Sequence, residues 1–132
     1  MKPAIAVTTL LLTVSLAACG GEEEPAICNS SSDLRTSVKD VKKIDIGSGT
    51  ALADLKSAIK EIQGNLAAVK ADAKSEYSDQ VNAIESGYAV LKTSIQTATS
   101  STSAATLATV GTAVSAFATD VEALINDVQK TC

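Results

Sequence analysis

Three runs of apolar residues at heptad spacing constrain this chain more than any other feature. Leu52, Leu55, Ile59, Ile62, Leu66 and Val69 alternate three and four residues apart without a miss. Tyr77, Val81, Ile84, Tyr88, Leu91 and Ile95 alternate four and three, and Leu107, Val110, Val114, Phe117, Val121, Leu124 and Val128 form a third run. Spacing of this kind places every run on one face of an α-helix and makes that face a packing seam. No strand pattern competes with it, and Pro3 and Pro25 both lie ahead of the first seam.

A shorter helix precedes the three seams. Leu34, Val38 and Val41 carry its apolar face, with Ile44 and Ile46 extending it loosely, and a start near Ser31 or Ser32 is expected because either hydroxyl can cap a helix. Gly47-Ser48-Gly49 then breaks the chain, and the second helix begins around Thr50. Thr97 to Ser103 is a polar, low-complexity stretch that reads as a linker, with the last helix following from about Ala104. Between the first two seams the step from Ala73 to Tyr77 is four where the repeat calls for three. That slip is either a stutter in one long helix or a turn near Ser75 to Asp79. The fold class expected is all-α, an antiparallel bundle of four helices. Its alternative packs a short helix and a C-terminal helix along one long central helix. The four-helix form is preferred because a globular bundle buries more of each seam.

The N-terminus has a different character. Lys2 is followed by an uncharged, mostly apolar stretch of 13 residues, Ala4 to Leu16. It is too short to span a hydrocarbon core, which needs about 20 residues, and it has the layout of an export signal. It closes on Leu16-Ala17-Ala18-Cys19. These four residues resemble the lipobox of bacterial lipoproteins. The resemblance implies a diacylglyceryl thioether on Cys19 and cleavage just before it. The organisation expected is a signal peptide over 1–18, a lipid-anchored tether over 19–27 and a helical domain over 28–132. The mature protein would then sit on the extracytoplasmic face of the cell membrane, held by two acyl chains, which anchor stably where one does not. An ordinary signal peptide with a chance cysteine is the alternative. The body is similar in composition, terminal cysteines and seam spacing to small Ala/Ser/Thr-rich helical lipoproteins of high-GC Gram-positive bacteria, a resemblance that supplies no active site.

With Cys19 assigned to lipid, Cys28 and Cys132 remain, an even pair bracketing the domain in an oxidising compartment. A disulfide between them suits a small domain whose core contains only Leu, Ile, Val, Ala and three aromatic residues. Two cysteines without any histidine make a poor zinc site, so no metal and no cofactor is expected.

Removing the leader leaves 10 basic and 15 acidic residues, and such a chain has little to offer nucleic-acid phosphates. The absence of histidine removes the commonest general base, and the carboxylates fall mostly off the seams, so enzymatic activity is not expected. Asp45 sits where the face of Leu34, Val38 and Val41 would place its next inward residue; it accepts a partner's basic group or closes a polar network, unless the helix has simply ended there. The functional expectation is a non-catalytic envelope protein that acts by contact, with a carrier of a small apolar ligand between its helices as the alternative. One feature hints at a contact surface. No charged residue occurs from Thr93 to Thr119, 27 positions, and Gly87 and Gly111 flank seam residues where another backbone can approach closely. They mark a candidate face for an envelope protein or a second copy, unless the neutral face packs within the bundle.

Overall fold

The computed structural model describes residues 24–132, and the signal segment 1–18, Cys19 and most of the tether lie outside the described residues. The described chain forms four α-helices and no strand: α1 over Ala26–Lys43, α2 over Ala51–Asp72, α3 over Ser78–Ser100 and α4 over Ala104–Val128. Each packs on the next, and α4 closes the ring against α1. Contacts across the pairs show the alternation of direction. Between α1 and α4, Cys28 meets Cys132 and Arg35 meets Glu122. Between α3 and α4, Gln80 meets Asp127 and Gly87 lies beside Phe117. Rising numbers on one helix oppose falling numbers on its neighbour, the signature of an antiparallel bundle.

The seams become the core. In α2, Leu55, Ile59, Ile62, Leu66 and Val69 are buried, and in α4 Val110, Val114, Phe117, Val121, Leu124 and Val128 are. Leu52, Tyr88 and Leu107 pack against the core from its partly buried edge.

The seam slip at Ala73 is a turn. α2 ends at Asp72, Ala73 and Lys74 are extended, and a 3-10 turn over Ser75–Tyr77 leads into α3. Neither Ser75 nor Ser78 caps a helix there. Instead, Tyr77 is buried and its hydroxyl lies 3.1 Å from Thr131 Oγ1, so side-chain burial sets the corner in a segment with no glycine or proline.

Two boundaries differ from the sequence expectation. α1 starts at Ala26, directly after Pro25, rather than near Ser31. Ser30 and Ser31 are buried inside it, and their hydroxyls donate to carbonyls of Ala26, Ile27 and Cys28 one turn back. The serines are therefore interior residues whose polarity is satisfied by their own helix. The polar stretch Thr97 to Ser103 is a linker only over 101–103, because α3 runs through Ser100. Thr99 and Ser100 donate to the carbonyls of Ile95 and Gln96, which lets polar residues continue the helix. The start of α4 at Ala104 rests on a reciprocal cap. Ser103 Oγ accepts from Thr106 N at 3.1 Å, and Thr106 Oγ1 accepts from Ser103 N at 2.9 Å.

Candidate functional site

The Cys28–Cys132 disulfide forms, with Cα atoms 6.0 Å apart, and ties the first turn of α1 to the residues after α4. Glu24 places its carboxylate near both sulfurs. Those sulfurs are bonded to each other, so neither is a thiolate that binds metal. At the same end Gln80 Nε2 donates to Asp127 Oδ2, and Lys130 Nζ donates to Asp127 Oδ1 at 2.8 Å. The hydrogen bond from Lys130, then that from Gln80, hold the Asp127 carboxyl below its ordinary range, while Asp127 raises Lys130. Each partner stabilises the other's charged form, which is the opposite of what a proton-transferring pair requires.

The two glycines of the candidate association face each meet another part of the chain. A Cβ built on Gly87 would stand 3.0 Å from Asp120 Oδ2 and 3.4 Å from Phe117 Cδ2, so this glycine lets α3 and α4 approach each other. A Cβ on Gly111 would stand 3.5 Å from Ile46 Cδ1, which places Gly111 under the loop between α1 and α2. Both glycines are half-buried, while Ala108, Thr109, Thr112, Ser115 and Ala116 beside Gly111 on α4 are largely exposed. The hydroxyls of the uncharged stretch stay on the exposed surface and bond back to their own helix. Thr109, Thr112 and Thr119 donate to the carbonyls of Ala105, Ala108 and Ser115. Asp45 lies beyond the end of α1, exposed, where its Oδ1 accepts from Gly47 N at 3.0 Å and shapes the loop.

Sequence reasoning missed the seam between α2 and α3. These helices are neighbours in the ring, yet they pack more sparsely than the other three pairs. Three recesses follow one another along the gap. Nearest the disulfide end, one of about 200 Å³ lies between Lys70, Lys74, Val81 and Glu85. The next, of about 270 Å³, is lined by Gln63, Leu66, Ala67, Lys70, Glu85 and Tyr88. The third, also about 270 Å³ and the most apolar, has Ile59 and Ile95 in its wall and Lys56, Lys60, Lys92 and Gln96 around them. Lys70 pairs with Glu85 across the middle of the seam. Lys56, Lys60 and Lys92 have no acidic partner within ion-pair distance among the described residues. Tyr88 Oη is buried without a hydrogen-bond partner, and burial pushes its pKa up. The signal was present in part, since Lys56 and Lys60 are one turn apart on α2. Their approach to Lys92 depends on how α2 and α3 are registered, which no spacing within one helix reveals.

Compared with protein-family models, with curated proteins and with solved structures, the chain matches none.

Proposed function

We propose that this is a lipid-anchored, non-catalytic domain of the cell envelope that works by contact. The observation that carries the reading is the Cys28–Cys132 disulfide. Such bonds persist in exported proteins and are kept reduced in most cytosolic ones. The lipobox-like Leu16-Ala17-Ala18-Cys19 supplies the anchor, with Cys19 as acyl acceptor. Because α1 begins at Ala26, residues 20–25 bridge anchor and bundle, a reach of about 20 Å at full extension. The disulfide end then faces the membrane. The loops at 44–50 and 101–103 stand roughly 33 Å farther out, the length of a 22-residue helix at ~1.5 Å per residue. An envelope partner or a second copy would meet that distal end first. No nucleic-acid partner and no cofactor enters this reading.

A second reading, a carrier that holds a small apolar ligand between its helices, is favoured by the open α2–α3 seam.

Labelling cells with a clickable fatty acid tests the anchor. The wild-type protein takes label and fractionates with membranes, and Cys19→Ala does neither. Label retained on Cys19→Ala refutes the lipid anchor.

A further inference from the structure

We propose that the α2–α3 seam binds a fatty acid, its acyl chain lying along the seam and its carboxylate held at Lys56, Lys60 and Lys92. The proposal rests on the carrier reading and names its ligand.

The shape argument comes first. Each recess is at or below about 270 Å³, just short of the ~300 Å³ at which pockets for compact drug-sized ligands begin. A bulky ring system has no chamber of its own here. A slender chain needs none, because it can run through successive recesses. From Lys56 to the Lys70–Glu85 bridge the seam follows 14 residues of α2, a length of roughly 21 Å at ~1.5 Å per residue. The wall presents apolar carbons at Ile59 and Ile95 in one recess and at Leu66 in the next.

Charge selects the head. The whole chain has a formal net charge of −4. The residues lining the seam run the other way, with Lys56, Lys60, Lys70, Lys74 and Lys92 against Glu85 alone. Glu85 is already engaged by Lys70. The three lysines at the distal recess are therefore uncompensated cations beside the most apolar wall of the seam, a pairing that matches an anionic head joined to a hydrocarbon chain. The chain's single arginine, Arg35, is engaged with Glu122 on the far side of the bundle. The mouth thus offers mobile point charges and no planar guanidinium fork, so it holds an anionic head by charge rather than by bidentate geometry. Point charges of this kind hold a carboxylate without a fork, and a phosphate probe tests that choice of head.

The test uses the chain begun at Gly20, which keeps all four helices and the disulfide, the whole of the packed bundle described. Dodecanoate, dodecyl phosphate and dodecanol are titrated separately, below their aggregation limits, while methyl NMR signals of Ile59 and Ile95 are followed. Dodecanoate is expected to shift both signals and to bind more tightly than the other two probes. Combining Lys56→Glu with Lys92→Glu should weaken dodecanoate about tenfold and leave dodecanol unchanged. Both lysines are exposed, and a circular dichroism melt checks that the double variant folds. Dodecyl phosphate binding more tightly than dodecanoate overturns the choice of a carboxylate. Dodecanol binding as tightly as dodecanoate, with no effect of the lysine changes, overturns the anionic ligand but leaves the carrier reading standing. Failure of all three probes to move Ile59 and Ile95 overturns both.

Discussion

α3 has two neighbours in the ring, and it meets them differently. Toward α4 it presents Gly87, and α4 answers with Phe117 and Asp120. Toward α2 it presents Glu85, Tyr88, Lys92 and Gln96, and α2 answers with Gln63 and Lys70. All four helices carry the same kind of apolar seam, so hydrophobic pattern alone does not separate the two interfaces. The flanking residues do. Small side chains let the helix axes approach until apolar rows interdigitate, whereas long polar side chains on both sides leave a gap that their flexible ends only partly fill. In this bundle the flanks decide which interface becomes core and which becomes a groove.

The largest test of that contrast removes a side chain from each interface. Phe117 is 1% exposed and sits in the tight interface, so Phe117→Ala should cost about 3–5 kcal/mol. Ile59 is 9% exposed and lines the open one. Ile59→Ala should fall at the low end of the aliphatic range, about 2 kcal/mol, because solvent already reaches the site. Urea denaturation of both variants gives the comparison, and equal losses would mean that the seam is closed in solution.

The disulfide reinforces the closed side, since it staples α1 to the end of α4. Reduction should cost roughly 2–4 kcal/mol, chiefly by freeing the unfolded chain. Helical circular dichroism at low temperature should be largely retained, because the packed seams do not depend on the bond. A full loss of helix on reduction would show that the bundle is not held by its seams.

Two glycines inside helices sharpen the contrast at smaller scale. A Cβ on Gly64 of α2 would meet nothing within 4 Å, whereas one on Gly87 would press on Asp120 and Phe117. Gly87→Leu should therefore destabilise by about 1–3 kcal/mol through overpacking. Gly64→Ala should stabilise by about 1 kcal/mol, the ordinary gain in helix propensity. Thermal melts of the pair give both signs. If the two substitutions move stability the same way, glycine is not what sets the α3–α4 distance.

Much of this was readable from the residues, and the unread part has a physical cause. The inward-facing positions of α2, α3 and α4 were legible because helical periodicity fixes which side chains share a face. The start of α1 was not, since Ser30 and Ser31 look like caps until their own backbone is seen to satisfy them. Gly87 and Gly111 were legible as points of close approach but not as to what approaches them, and the partners turned out to be Phe117 and Ile46. The α2–α3 groove was illegible for a further reason. Periodicity states which residues point inward and is silent on how far apart two helices stand, and the cluster of Lys56, Lys60 and Lys92 exists only across that distance.

The smallest expected effect probes the middle of the groove. Tyr88 Oη is buried and unpartnered, while its ring lies 6.4 Å from that of Phe117. An unmet hydroxyl lowers stability, so Tyr88→Phe should raise it at pH 7 by on the order of 1 kcal/mol or less. The pH dependence follows from the raised pKa of Tyr88. Below about pH 10, the ordinary tyrosine value, the residue is neutral in folded and unfolded chains alike, and ionisation contributes nothing. Above it the unfolded tyrosine ionises first, which draws the equilibrium toward the unfolded chain. Wild-type stability should therefore fall as pH rises past 10, and the Tyr88→Phe chain should lose less over the same interval. Denaturation curves of the two proteins at pH 7 and pH 11 measure both effects. A stability loss in Tyr88→Phe at pH 7 would mean that the hydroxyl is satisfied in solution, by water or by a ligand in the seam. The open interface would then be occupied at its centre, and its contrast with the tight α3–α4 contact would be sharper than packing alone makes it.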